Sequence, residues 1–175
     1  GLSSSSAAIQ LASSASSSAA YNLQLTSPNI PVVAGHNYEI SFYIKSDVAG
    51  KGRVSFNTSL TNQWPYKDWF ATGGTWTEAF TTTSSWQQVK IKVAPGDFKA
   101  GSTTFQFNLD FGYLPNVTYL VDVNTIAVVD LDAAATVTNL VANGNFNAGN
   151  PNTNSSNFSG INDAGGASSV AAANR

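Results

Sequence analysis

"FQFNLDF" (residues 105–111) is the stretch on which the fold turns. Phe105, Phe107, Leu109 and Phe111 alternate with Gln106, Asn108 and Asp110. A period of two sends successive side chains to opposite faces of a β-strand. One face here is hydrocarbon throughout, and the other carries two amides and a carboxylate. Groups of that kind repeat at about 6.7 Å along a strand, close enough for all of them to reach one extended object. The same alternation also describes a plain solvated sheet face, so the residues by themselves leave both readings open.

Working outward, "YNLQL" (21–25), "YEISFYIKS" (38–46), "RVSFNTSL" (53–60) and "WQQVKIKVA" (86–94) show the same period. Turn signals separate them: "SPNIPVVAGHN" and "PGDFKAGST" concentrate Pro, Gly, Asn and Ser. "AAIQLA" near the start reads as one more strand, and "VTYLVDVNTIAVVDL" (117–131) as one long or two short ones. No segment sustains a helical period. Several short strands joined by turns point to an all-β chain folded as an antiparallel β-sandwich. At 175 residues it fits a single domain, 1–175, able to bury about 70% of its unfolded surface. Residues 1–8 and about 150–175 are expected to be flexible, because their Ser, Ala, Asn and Gly content buries little apolar area.

Charged residues make up only 10% of the chain, against about 25% in an average globular protein. Eight Lys and Arg oppose ten Asp and Glu, and no basic stripe exists to neutralise phosphates, which argues against nucleic acid. Cysteine is absent, so neither a disulfide framework nor a thiolate metal site can form. No apolar run approaches the 18 or so residues of a membrane span, so no membrane insertion is expected. His36, in "AGHNY", reads as an exposed turn residue. "WPYKDWF" (64–70) sets four aromatics in seven residues of a loop, where exposed rings imply contact with a partner.

"AYNLQL", "VVAGHNYEISFYIKSD", "SSWQQVKIKV", "TFQFNLDFGY" and "VTYLVDVNTIAVVD" occur in that order between about residues 10 and 132. Their order resembles the carbohydrate-binding modules of families 4 and 9, and of the related family 22. What the resemblance implies is a jelly-roll sandwich with a concave ligand-binding cleft. It also implies non-catalytic binding of a soluble β-1,4-linked plant polysaccharide, xylan before β-glucan or cellulose. The module would be covalently linked to a glycoside hydrolase; it would be monomeric, secreted or at the cell surface, and engaged in xylan degradation. One departure stands out. The opening strand of such modules resembles "ANGNFNAG", which lies here at 142–149. The module thus resembles a circularly permuted one, with 138–149 supplying its first strand, or else 140–175 opens a second module.

The resemblance also implies a site. Tyr21 falls at an aromatic platform and Gln24 at a polar partner. Trp64 falls near a second aromatic position, with Tyr66 and Trp69 as alternatives. Gln106 and Asp110 match polar ligand-contacting positions, with Asn108 between them, and Tyr43 and Asn57 are added from the polar faces of their strands. Flat rings would take the C–H faces of a glycan, and amides and carboxylates its hydroxyls. A structural calcium ion is implied at Asp122, although Asn147 stands where the family has a second carboxylate.

Two other functions compete. A glycosidase needs two carboxylates about 5–10 Å apart, yet Glu39 and Glu78 are the chain's whole complement of Glu. A structural or adhesive surface domain fits the low charge and the Thr/Asn-rich composition.

Overall fold

The computed structural model describes residues 8–58, 67–69, 80–98, 100–133, 140, 160–162 and 169–173. Of 57–58, 67–69, 160–162 and 169–173 it describes the backbone alone. The strands are β1 (Ala8–Ala12), β2 (Gln24–Thr26), β3 (Ile30–Pro31), β4 (Tyr38–Ser46), β5 (Gly50–Thr58), β6 (Lys67–Trp69), β7 (Phe80–Thr82), β8 (Gln87–Val93), β9 (Thr104–Asp110), β10 (Thr118–Asp130), β11 (Gly160–Asn162) and β12 (Ser169–Ala173). They form two antiparallel sheets. The first has the order β12-β1-β10-β4-β8. The second runs β11-β2-β9-β5-β6, with β3 also paired to β9 and β7 to β5. This is the antiparallel β-sandwich that the alternating strands predict.

Alternation builds the core. On β4, Tyr38, Ile40, Phe42 and Ile44 are buried while Glu39, Ser41, Tyr43 and Lys45 lie on the outer side. On β9, Phe105, Phe107 and Leu109 point inward, with Phe111 just beyond, and none of the four is more than 1% exposed. Phe105 of the second sheet meets Tyr38 of the first at 6.1 Å between ring centroids, so aromatic contacts join the two layers. Each such buried side chain contributes about 1.5–3 kcal/mol.

Of the two readings of 117–131, one long strand or two short ones, the structure has the first, β10, whose register on β4 shifts between Asp122 and Ala127. Three features differ from the sequence reading. The C-terminal region, expected to be flexible, contributes β11 on β2 and β12 on β1. An edge strand can form there because backbone groups, not apolar side chains, make the ladder. The loop carrying the aromatics contains β6. His36 is no free turn residue: its Nδ1 lies 2.8 Å from Asp130 Oδ2. Beside it, the backbone N–H of Asn37 and its side-chain amide both donate to Asp132 Oδ2, at 2.6 and 2.8 Å. These contacts tie the turn before β4 to the end of β10.

Candidate functional site

The outer face of the second sheet is polar and yet buried. Register sets Gln24 of β2 opposite Asp110 of β9, and Asp110 opposite Arg53 of β5. The neighbouring rung is Thr26, Asn108 and Ser55. Exposure is 5% at Gln24, 2% at Arg53, 0% at Ser55, 1% at Asn108 and 0% at Asp110. On β8 of the first sheet, by contrast, Gln88, Lys90 and Lys92 are exposed outward. Burial of polar groups is tolerated only when they satisfy one another, and Asp110 is the hub that does so. Its Oδ1 accepts from Gln24 Nε2 at 2.8 Å. Its Oδ2 accepts from Arg53 Nε at 2.7 Å and from Ser55 Oγ at 2.9 Å. Burial pushes the Asp110 carboxyl up, against the opposing pull of the Arg53 charge and the three donors. Asn108 differs: its Oδ1 is buried and has no hydrogen-bond partner among the described residues, which costs free energy on this face.

At the Asp110 end of this sheet lies a pocket of about 260 Å³ lined by Ser18, Ala19, Ala20, Tyr21 and Tyr113. Tyr21 is 53% exposed. A short 3-10 turn, Ala20–Asn22, carries it. Asn22 Oδ1 fixes that turn by accepting from the backbone N–H of Ser18 at 3.1 Å and of Ala19 at 2.9 Å. Gly112 brings the second tyrosine alongside. Its N–H donates to Ala20 O at 2.9 Å. A Cβ there would collide with Ala19 O and lie 2.7 Å from both Asn22 Cβ and Leu23 N. Only a residue without a side chain lets the two segments approach so closely. Lys51 Nζ sits 4.8 Å from the centroid of the Tyr113 ring.

The structure brings together Tyr21, Gln24, Asn108 and Asp110 at this end of the second sheet, with Gln106 further along β9. Gln106 Nε2 donates to Ser27 O at 2.7 Å, so that amide is engaged at the break between β2 and β3. Asp110, expected to meet a ligand directly, engages both oxygens inside the protein and acts as a positioning residue for Gln24 and Arg53. Tyr43 does not join the group. It lies on β4 in the first sheet, on the outer side, opposite Asp122 and Gln88. Alternation had given the correct face of its strand but not which sheet that strand enters. Asn57 occupies the register position opposite Gln106, and Trp69 the one opposite Val54, a core position; their side chains lie outside what is described. Trp64 and Tyr66 lie outside the described residues altogether.

Three residues of the site were missed in the sequence. Arg53 and Ser55 share the alternation of "RVSFNT" with Asn57, and Tyr113 follows the glycine of "DFGY". Among the described residues the arrangement provides rings, amides and a locked ion pair. Glu39 lies on the outer side of the first sheet, where Lys90 Nζ donates to it at 3.0 Å.

The family described as carbohydrate-binding domain, of the 4 and 9 type, matches residues 4–106. The chain belongs to that family. Membership carries a coarse function, carbohydrate binding by a non-catalytic domain. Among solved structures, the chain is similar to the apo carbohydrate-binding module of PbXyn10C, with 20% identity, 81% of this chain and 75% of that one covered, and a TM-score of 0.53. It is also similar to the CBM22-1 xylan-binding domain of Paenibacillus barcinonensis Xyn10C, with 16% identity, coverages of 59% and 60%, and a TM-score of 0.40. The first likeness bears on the fold alone. No curated protein matches the chain.

Proposed function

We propose that this carbohydrate-binding domain holds a soluble β-1,4-linked plant polysaccharide, xylan in preference to β-glucan, at the Tyr21 end of the second sheet. The observation that carries the reading is the pocket between Tyr21 and Tyr113 beside the Gln24–Asp110–Arg53 rung. The rings take the C–H faces of successive sugars. Polar groups at the rim of the pocket, Ser18 among them, take the sugar hydroxyls. The ion pair of Arg53 and Asp110 holds the polar face in place and performs no chemistry. Sugar hydroxyls exchange water bonds for protein bonds at small net gain, so affinity is expected between about micromolar and millimolar. Such a module keeps an attached, secreted hydrolase close to its substrate by raising effective concentration.

A structural calcium ion belongs to the same reading. Asp122 is fully buried, and the buried Oδ1 of Asn124, two residues on, has no hydrogen-bond partner. A carboxylate and an amide oxygen suit a hard cation, and these two residues would hold it. Among the described residues no group of three or more His, Cys, Asp or Glu adds to them. A melting temperature that rises with calcium and falls with a chelator supports the site, and one indifferent to both removes it. The pairing of β12 with β1 and of β11 with β2 supports reading 1–175 as one unit; the segment 138–149, expected to supply a permuted first strand, lies outside the described residues except for Leu140.

Affinity gel electrophoresis against xylan, barley β-glucan and mannan tests the main proposal, with a reducing-sugar assay alongside. Retardation by xylan without release of new ends is expected. Free migration in all three gels, or the appearance of reducing ends, overturns it.

A further inference from the structure

The polar ladder of β5 does not stop at Arg53. Two residues earlier the same alternation sets Lys51 at the pocket end of the strand. Its backbone is fixed from the core, because its N–H donates to the Tyr119 hydroxyl at 3.2 Å and the hydroxyl donates to Lys51 O at 3.1 Å. Its ammonium lies over Tyr113, a ring that walls the pocket. Arg53, the next cation on that face, is neutralised by Asp110 at 2.7 Å. Among the described residues no carboxylate lies within ion-pair distance of Lys51. A half-buried cation kept at an aromatic wall without a counter-charge is an anion acceptor. It also stands out in a chain with net charge −2, whose overall field would not attract an anion.

We infer that Lys51 reads an anionic substituent on the bound glycan, a uronate carboxylate projecting past Tyr113, so that an acidic, glucuronate-bearing chain is preferred over its neutral counterpart. This rests on the glycan-binding reading and extends it to a substrate class. The ring-backed ammonium is partly desolvated and preorganised, yet still near solvent, so its contribution is that of an accessible ion pair. A preference of about threefold at low salt follows, declining as salt screens the pair.

The test is titration calorimetry with a xylo-oligosaccharide carrying one glucuronic acid and with the same oligomer after reduction of its carboxyl group, which keeps size and removes charge. Wild type should bind the acidic form about threefold more tightly at low salt and lose most of that margin at high salt. Lys51→Gln should erase the margin, bringing the ratio of the two dissociation constants to about one, and Lys51→Arg should keep it. Equal affinity of wild type for the two oligomers overturns the inference alone, as does a Lys51→Gln variant that weakens both equally. No binding of either oligomer overturns the glycan reading and this inference with it.

Discussion

Asp110→Asn is nearly isosteric, yet it removes the charge on which the buried polar face depends. Asp110 is 0% exposed and accepts from Arg53, Gln24 and Ser55. Without it, the Arg53 guanidinium remains nine-tenths or more buried opposite a neutral amide. Breaking a buried ion pair from one side costs about 3–5 kcal/mol. For a domain of this size that corresponds to a fall of roughly 6–20 °C in melting temperature, at about 2–4 °C per kcal/mol. Urea unfolding followed by Trp fluorescence measures the loss directly. A double-mutant cycle with Arg53→Met then separates the pair from its surroundings, because the double variant should lose clearly less than the sum of the singles. A cost for Asp110→Asn below about 1 kcal/mol, or strictly additive singles, refutes the hub described above.

Gly112→Ala should cost about 1–3 kcal/mol as the turn at 19–23 is forced away, and should also weaken xylan binding by separating Tyr21 from Tyr113; unchanged binding in a folded variant contradicts the paired-ring pocket. Partial burial pushes the Asp130 carboxyl up, but hydrogen bonds from His36 and from the backbone of Asp132 and Ala133 outweigh it, so the net shift is down from 3.8. A depressed folded value means stability that is present above the unfolded value near 3.8 and is lost as pH falls through the lower folded one. Melting curves of wild type and Asp130→Asn should therefore differ above about pH 4 and converge at lower pH, whereas parallel profiles would remove the His36 link from the stability of the turn. Deleting 138–175 strips β11 and β12 from both sheets and should lower the melting temperature sharply; an unchanged melting temperature argues for a separate unit.

How much of this could be read from the letters depends on what decides each feature. The core face was legible because burial on β4, and apolar side chains on β9, follow a two-residue alternation. The C-terminal edge strands were not, since "GIN" and "SVAAA" pair through backbone groups and carry little apolar signal of their own. Tyr43 shows the limit of alternation, which assigns a face of a strand but not the sheet it enters. Asp110 shows another: polarity was read as access, whereas three donors from two neighbouring strands made complete burial tolerable. Arg53 and Ser55 were visible in the same pattern as Asn57 and were overlooked, while Tyr113 became meaningful only through the close approach at Gly112.

The central claim is that the rings at the end of the second sheet grip a glycan. Its most direct measurement is the dissociation constant for xylohexaose, read from Trp fluorescence or calorimetry, for wild type and for Tyr21→Ala. The 53% exposure of Tyr21 means that its truncation should leave the melting temperature nearly unchanged while binding falls below detection. Binding that survives in Tyr21→Ala, with the fold intact, would contradict the account.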